Sequence, residues 1–344
     1  MSQVETEIRE QPEVLERLLR EGRDRANEIA ARIRERSPRY VVIAARGSSD
    51  NAARYAQYLF GAHNRLPVCL ATPSLFTLYG SGPSLTGALA VGVSQSGRSP
   101  DIVAVLEAAR RDGSLTVAIT NEPGSPLAKA AEHVLPLGAG PERAVAATKT
   151  YTAELLALLM LIEGVRAGDG VLPAEEHAAL SRLPELAAQT LADDTPARLA
   201  PRYRFAAQLV TTGRGYAYPT AREAALKLME TSYLPALAFS GADLLHGPLA
   251  MTDPDVPVLA VVGSGPGGTS MREVLPRLGE RRADVVVVGS AEVGETRMAV
   301  PEVDERYAPL LDILPLQRLA LSLALARGED PDAPRGLKKV TATM

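Results

Sequence analysis

Short apolar segments alternate with longer amphipathic ones along the first half of the chain. The apolar or β-branched segments predict β-strands at residues 40–45, 68–72, 88–93, 115–120 and 133–137. Helical patterns separate them at residues 51–60, 101–111 and 126–131. Strands that are apolar throughout and alternate with helices are typical of a parallel sheet covered by helices on both faces.

The second half of the chain repeats this alternation. Strands are predicted at residues 205–211, 256–262 and 284–288, and helices at 220–230, 270–278 and 309–326. We therefore predict an α/β protein with two similar domains that arose by duplication, at residues 38–167 and 201–330. A helical segment at residues 1–37 precedes the first domain, a helical linker at 168–200 joins the two, and residues 331–344 form a tail.

A glycine-rich turn follows a predicted strand at matching places in both halves. Residues 45–49 (ARGSS) match residues 212–215 (TGRG), and residues 93–97 (VSQSG) match residues 263–268 (GSGPGG). Ligands of such sheets bind at the carboxyl ends of the strands, where these turns lie. We therefore expect the functional residues at these turns.

One of these turns carries four polar side chains, which are Ser94, Gln95, Ser96 and Ser99. Hydroxyl groups and backbone N–H groups meet there at the positive end of a helix dipole, which is a typical anion site. The alternative is an ordinary helix N-cap at Ser99. The sequence has no GxxxxGK[ST] motif, so a sugar phosphate suits this turn better than a nucleoside triphosphate. Residues 47–49 and 145–149 form two further candidate turns.

Three charged residues recur at helical spacing in the second half of the chain. Glu223, Lys227 and Glu230 are four and three residues apart, so they share one face of the predicted helix. A solvated, salt-bridged face is the ordinary interpretation. Because the helix begins just after the Gly213-Arg214-Gly215 turn, we favour a carboxylate that moves a proton between adjacent carbons.

The histidines and the cysteine are weaker candidates for functional residues than the turns and the charged helix face. His246 is followed by Gly247 and Pro248, which end any helix there. A histidine in such a loop is either structural or suited to acid-base chemistry near neutral pH. The four histidines of the chain lack ligand spacing, so we predict no metal site. Cys69 lies in an apolar strand and is predicted to belong to the core.

Composition argues against several classes of protein. The 344 residues are 46% hydrophobic and 23% charged, which is typical of a soluble globular protein. The net charge of -4, with its signs interspersed, predicts no binding of nucleic acid. No uninterrupted apolar stretch reaches the roughly 18 residues of a membrane span. The polar, acidic start of the chain and its single cysteine predict a cytoplasmic protein without a disulfide.

The last thirteen residues, 332–344, are too short to form a domain and carry the paired lysines Lys338 and Lys339. Chain termini of this kind are commonly disordered. The alternative is a tail that folds over another part of the protein.

Seven segments along the chain carry a family resemblance, and they are EIREQP (7–12), RGSSDNAARY (46–55), SQSGRSPD (94–101), VAATKTYT (145–152), GRGYAYPTAREAALKLME (213–230), HGPLA (246–250) and PRGLKKVT (334–341). Taken in order, they resemble the sugar isomerase (SIS) family, which includes the isomerase part of glucosamine-6-phosphate synthase and stand-alone amino-sugar-phosphate deaminases. The resemblance implies two doubly wound, flavodoxin-like parallel-sheet SIS domains in tandem, with a C-terminal tail over the active site.

The resemblance also implies roles for individual residues. The residues that match the family's phosphate and sugar contacts are Ser49, Ser94, Gln95, Ser96, Ser99, Val145 and Ala147. Glu230 matches a glutamate that moves a proton between C1 and C2, with Lys227 beside it. His246 matches a ring-opening histidine from the neighbouring subunit, which implies a homodimer. Lys339 matches a tail lysine that forms an imine with the open-chain ketose, and Lys338 competes for that role.

Three positions depart from the family's pattern. Arg46 replaces a small residue before the glycine of the first turn, Arg98 replaces an acidic residue, and Ala147 replaces a serine. Because of these departures, the resemblance does not identify the substrate. The residues implied in proton transfer are not among the three positions.

The synthase also has an amino-terminal glutaminase domain, whereas this chain reaches the isomerase pattern soon after Met1 and Ser2. We therefore expect it to deaminate glucosamine 6-phosphate to fructose 6-phosphate and ammonia, without a cofactor. The alternatives are ammonia-dependent synthesis and plain sugar-phosphate isomerisation. A sugar-phosphate sensor of this fold would carry a helix-turn-helix domain, whereas residues 1–37 predict one or two amphipathic helices. A dinucleotide-dependent dehydrogenase is a more distant alternative, since residues 263–268 match its fingerprint only loosely.

Overall fold

A computed structural model describes residues 1–337 and 339 of the chain. These residues form two compact units, each built on one five-stranded sheet. The first-sheet unit contains residues 13–142, 149–182 and 339, and the second-sheet unit contains residues 1–12, 143–148 and 183–337.

The helices that flank the sheets fall largely where apolar residues recur at helical spacing. In chain order they are α1 (Gln3–Arg9), α2 (Gln11–Glu21), α3 (Arg23–Arg36), α4 (Gly47–Asn64), α5 (Ser74–Thr77), α6 (Pro100–Arg111), α7 (Pro126–Ala130), α8 (Lys149–Arg166), α9 (Ala174–Leu180), α10 (Leu183–Ala192), α11 (Thr195–Tyr203), α12 (Ala217–Ser232), α13 (Gly241–Leu245), α14 (Pro266–Glu280) and α15 (Ala308–Ala326). A short 3-10 helix covers Pro248–Met251.

The sheet of the first-sheet unit is parallel throughout. Its strands are β1 (Tyr40–Ala44), β2 (Val68–Leu70), β3 (Ala88–Val93), β4 (Leu115–Thr120) and β5 (His133–Pro136). They lie in the order β2-β1-β3-β4-β5. Ala44 pairs with Gly92, so β1 and β3 end side by side.

The sheet of the second-sheet unit is also parallel throughout. Its strands are β6 (Leu209–Gly213), β7 (Ala236–Ser240), β8 (Val258–Val261), β9 (Val285–Gly289) and β10 (Thr296–Ala299). They lie in the order β7-β6-β8-β9-β10.

The two sheets have the same topology, because each places its second strand outside its first and continues on the other side with the third, fourth and fifth. This is the flavodoxin-like order. The predicted fold class, two α/β domains with doubly wound parallel sheets in tandem, is therefore confirmed. By position, β8 corresponds to β3 and α14 to α6, so the two loops that follow β3 and β8 are equivalent.

Each unit has its own apolar core. In the first-sheet unit, Ile102 and Leu106 of α6 pack with Val42 and Ala90 of the sheet. In the second-sheet unit, Met271 of α14 belongs to a similar cluster with strand residues of β8 and β9. Complete burial of one such aliphatic side chain contributes about 1.5–3 kcal/mol, which makes these clusters the main source of stability.

The two long helices α8 and α15 are buried almost all round. Every residue of α8 from Lys149 to Val165 is buried, and α8 packs against α3 and α4. Helix α15 packs against α10, α11 and α12. Among the described helices, α15 is the one whose length and composition would suit a membrane span, but 78% of that window is buried inside the protein, so the feature is weak evidence for a span.

Several elements differ from the sequence-based prediction. The strand predicted at 205–211 begins four residues later, because Phe205 is 83% exposed and only Leu209–Gly213 is buried in the sheet. Strands β7 and β10 were not predicted, and residues 1–37 contain three helices instead of one or two. Cys69 is exposed and not in the core, because β2 lies at the edge of its sheet.

Candidate active site

The candidate proton-transfer residues lie together on helix α12. This helix is rich in strong helix formers such as Ala, Leu, Lys and Glu, and it ends where Tyr233 adopts a left-handed conformation with φ of 50°. Lys227 Nζ lies 2.6 Å from Glu230 Oε2 and 3.3 Å from Glu223 Oε1. The predicted shared face is therefore confirmed, and the ordinary interpretation as a solvated face is wrong, because Lys227 and Glu223 are buried.

The exposed fraction of each side chain shows which of these three groups is accessible to a ligand. The side chains of Glu223 and Lys227 are 0% and 2% exposed, whereas that of Glu230 is 21% exposed. Burial alone would lower the pKa of Lys227, but the charges of Glu223 and Glu230 outweigh it and raise the pKa. Lys227 therefore stays charged and holds the accessible carboxylate of Glu230 in one orientation.

His246 lies at the C-terminal end of α13, exposed to solvent. Its backbone N–H donates to the carbonyl of Asp243, and Gly247, with φ of 130°, leads into the 3-10 helix. Within the described part of the chain, no hydrogen bond or ion pair is made by the imidazole ring of His246. The ring is thus available to a substrate or to another protein chain, as an acid-base role requires.

The loop from Ser94 to Ser99 joins β3 to α6 in the first-sheet unit. Ser94 Oγ accepts a hydrogen bond from the Gly97 N–H at 3.2 Å, and the Gln95 carbonyl accepts from the Asn121 N–H at 3.2 Å. Gly97 has φ of 59°, and a Cβ atom there would collide with the side chain of Ser125. These contacts fix the backbone of the turn before any ligand binds.

Two side chains of this loop remain unused by the protein. Ser99 is the N-cap residue of α6, yet its side chain makes no capping hydrogen bond. Over residues 1–337 and 339, the Gln95 amide likewise makes no hydrogen bond. Ser99 therefore occupies the N-cap position, as the alternative interpretation expects, but without a capping hydrogen bond from its side chain. Both side chains are partly buried and can bind an anion at the helix end.

Ser49 lies in the first turn of α4 and is buried. Its hydroxyl donates a 2.7 Å hydrogen bond to Glu154 Oε1 on the buried helix α8. Glu154 thus fixes the orientation of Ser49, a role that the sequence did not indicate.

The segment 143–148 belongs to the second-sheet unit. Ala144, Ala146 and Thr148 are buried, whereas Val145 and Ala147 are partly exposed, so the alternation places these two on the accessible side. The side chain of Glu7, which is itself buried, accepts hydrogen bonds from the N–H groups of residues 143 and 144. The EIREQP segment therefore serves to hold this loop.

The tail lysine Lys339 lies in the first-sheet unit, and its Nζ is 3.3 Å from Glu142 Oε2. Glu142 is fully buried, and its other oxygen accepts from the Thr150 N–H at 3.1 Å in the first turn of α8. This carboxylate therefore occupies the start of α8, where residues 145–149 had been a candidate anion turn. Lys338, the competitor for the tail role, lies outside the described residues.

The loop 263–268 of the second-sheet unit is equivalent to the loop 94–99, and the side chain of Glu305 occupies the space beside it. The Gly267 N–H donates to Glu305 Oε1 at 2.7 Å, and a Cβ atom at Gly265 or Gly267 would collide with the Glu305 carboxyl group. Burial raises the pKa of Glu305, and the N–H groups of Gly267 and Gly268 lower it only in part. A side chain thus takes the place that an external anion would need.

The predicted site residues are divided between the two units. The second-sheet unit holds Lys227, Glu230, His246, Val145 and Ala147, and the first-sheet unit holds the others, which are Ser49, Ser94, Gln95, Ser96, Ser99 and Lys339. Among the described residues, no group of three or more His, Cys, Asp or Glu side chains is placed to hold a metal ion.

Comparison with known proteins identifies the relatives of this chain. The SIS domain pattern matches residues 36–164 and 203–325. The chain is 36% identical over 307 residues to a glutamine–fructose-6-phosphate aminotransferase (isomerizing) of Methanothermobacter thermautotrophicus, a match that covers 87% of this chain and 51% of the relative. The chain thus spans about half the length of the curated relatives it matches.

Two solved structures share the fold along nearly the whole chain. One is a protein of Silicibacter pomeroyi DSS-3 provisionally assigned as a phosphosugar isomerase, with 34% identity and a TM-score of 0.86 over 96% of this chain and all of that one. The other is the C-terminal domain of glucosamine-fructose-6-phosphate aminotransferase from Francisella tularensis, with 27% identity and a TM-score of 0.87 over 97% and 98% of the two chains. Together with the two matched regions, these likenesses establish that the chain belongs to the SIS domain family, with one SIS domain in each half.

Proposed function

We propose that this protein is an amino-sugar-phosphate isomerase that converts glucosamine 6-phosphate to fructose 6-phosphate and ammonia. The observation that carries the proposal is the array on α12, in which buried Lys227 holds the one accessible carboxylate, Glu230. A positioned carboxylate of this kind is what proton transfer between adjacent carbons requires. The names of the relatives link such chains to fructose 6-phosphate.

Glu230 is the proposed proton carrier. In the open-chain substrate the C1 aldehyde makes the C2 hydrogen acidic. Glu230 takes the C2 proton and returns it to C1, while a proton passes from the amine nitrogen to O1. C1 thereby becomes a hydroxymethyl group and C2 an imine. Water adds to C2 and ammonia leaves, which yields the ketone of fructose 6-phosphate, and no cofactor is needed for these steps.

The remaining residues have proposed roles around this step. His246 moves a proton between O1 and the ring oxygen to open the sugar ring, and its exposure suits a histidine that serves the partner subunit of a homodimer. Ser94, Gln95, Ser96 and Ser99 bind the phosphate, together with Ser49 for a sugar hydroxyl. Val145 and Ala147 line the sugar. The amine of Lys339 condenses with the C2 ketone of the open-chain ketose, which releases water and holds the ketose as an imine.

The second candidate function is the reverse reaction, in which fructose 6-phosphate is aminated with free ammonia. It is favoured by the aminotransferase names of the relatives at 36% and 27% identity. Both directions use the same proton transfer, so the same variants test both.

The test is ammonia release from glucosamine 6-phosphate by the purified protein, compared with Glu230→Gln. We expect release by the wild type and a loss of at least about a hundredfold in the variant, as is typical for removal of a general base. Glu280→Gln is the matched control, because Glu280 also pairs with a basic residue three positions away, on the exposed face of α14. Equal rates in the wild type and Glu230→Gln would refute the proposed role of Glu230.

A further inference from the structure

Arg46 makes an ion pair beside the loop 94–99 that the proposed function does not use. It is the N-cap residue of α4, two residues after the end of β1, and its Nε lies 2.9 Å from Asp101 Oδ2. The Asp101 side chain is 2% exposed, whereas the Arg46 side chain is 51% exposed. A buried carboxylate therefore anchors a guanidinium group that reaches solvent.

The fold places this pair at the mouth of the proposed phosphate site. Ala44 of β1 pairs with Gly92 of β3, so Arg46 and Ser94 each follow two residues later on neighbouring strands. Adjacent strands lie about 4.8 Å apart. Asp101 is in the first turn of α6, the helix that the loop 94–99 opens. Arg46 thus bridges from the end of one strand to the start of the anion-binding helix.

The charges of the pair bear directly on anion binding. The buried carboxylate of Asp101 stands at the same helix end as the proposed phosphate and would repel it if unpaired. Arg46 compensates that charge through Nε alone. In the described part of the chain its two terminal nitrogens make no hydrogen bond, and a guanidinium fork suits a phosphate group.

We propose that Arg46, held by Asp101, binds the phosphate group of the substrate through its two terminal nitrogens. The inference rests on the proposed function, since it assigns the loop 94–99 to phosphate.

The test compares Arg46→Ala, Arg46→Lys and Arg46→Ala/Asp101→Asn with the wild type. For glucosamine 6-phosphate, Arg46→Ala should raise KM about tenfold or more, the usual effect of losing a charge-assisted hydrogen bond, with kcat little changed. Arg46→Lys should recover part of the loss. The double variant should bind better than Arg46→Ala, because the repelling charge is gone. Arg54→Ala is the matched control, because Arg54 pairs with Asp50 at 3.2 Å on the same helix, α4.

A second readout separates this inference from the proposed reaction. Inorganic phosphate should raise the Tm of the wild type and should do so less in Arg46→Ala. If the wild type releases no ammonia but keeps this difference, the reaction is wrong and the role of Arg46 stands. An unchanged KM and phosphate response in Arg46→Ala, a lower Tm as its only effect, or a wild type whose Tm ignores phosphate would each overturn the inference.

Discussion

The loops after β3 and β8 occupy equivalent places in two sheets of the same topology, yet they differ in what lies within them. In the loop 94–99, the Ser99 side chain makes no capping hydrogen bond to α6. In the loop 263–268, the carboxyl group of Glu305 accepts from the Gly267 N–H at 2.7 Å and fills the space beside Gly265. Among the described residues, the first loop leaves the side chains of Gln95 and Ser99 without a hydrogen-bond partner, whereas the second loop is closed by a side chain of the protein itself.

The proposed function therefore assigns one ligand site to a protein whose two sheets of the same topology offer two equivalent loops. The backbone of each loop is fixed by a glycine, Gly97 in the first and Gly268 in the second. The distinction therefore lies in side chains and not in strand order. Fold alone does not assign function, and the local chemistry of each loop must decide it.

The largest expected effect is on the backbone of the second loop. A Cβ atom at Gly268 would collide with the backbone carbonyl of Gly263, which cannot move without displacing the loop. Gly268→Ala should therefore cost about 4 kcal/mol or prevent folding. Gly279→Ala, in the same helix with no atom within 4 Å of its added Cβ, is the control and should be neutral or stabilising. Equal unfolding free energies for the two variants would show that this loop is not tightly packed.

The next largest effect concerns the buried carboxyl group of Asp312. Burial, followed by the charge of Glu305, raises the pKa of Asp312 to about 8 from an ordinary value of 3.8. The folded protein therefore holds one more proton than the unfolded chain between these pH values, so its stability falls as pH rises from about 4 to about 8.

Asp312→Asn should remove this pH dependence. Each unit of pKa shift corresponds to about 1.4 kcal/mol. The unfolding free energy of the wild type should therefore fall by a few kcal/mol relative to that of the variant as the pH rises across this range. Unfolding free energies measured by denaturant at several pH values check it. Parallel pH profiles for the two proteins would mean that Asp312 ionises normally.

A smaller effect is expected at Glu305 itself. Glu305→Ala removes the acceptor for the Gly267 N–H in a half-buried place and should cost about 1 kcal/mol. Glu305→Gln keeps an acceptor oxygen and should cost less. Glu302→Ala, at an exposed position in the same segment, provides the control. If Glu305→Ala were as stable as Glu302→Ala, the closure of the second loop by this side chain would be in doubt.

Most of the first sheet could be predicted from sequence, because its strands are apolar throughout and their periodicity is local. Strands β3 and β4 were predicted with the bounds that the structure shows. The short strands β7 and β10 were missed. Both are partly exposed, and β10 lacks a continuous apolar pattern. The strand predicted from Phe205 began too early, because the sequence alone does not distinguish an apolar residue on the surface from one in the core.

For the candidate site, the sequence predicted contacts within one element but not contacts between distant ones. Helical spacing was enough to place Lys227 between Glu223 and Glu230 on one face. The partners Glu154 of Ser49 and Glu305 of Gly267 lie 105 and 38 residues away along the chain. No local pattern encodes such a pair, so only the folded structure could show it.

The most direct test of the contrast between the loops is the number of sugar phosphates bound per chain, measured by equilibrium dialysis with labelled fructose 6-phosphate. We expect one per chain, weakened roughly a hundredfold in Ser96→Ala/Ser99→Ala, as for two lost hydrogen bonds to a charged group, and unchanged in Ser264→Ala. Two sugar phosphates per chain, or binding lost only in Ser264→Ala, would contradict the assignment of the ligand to the first loop.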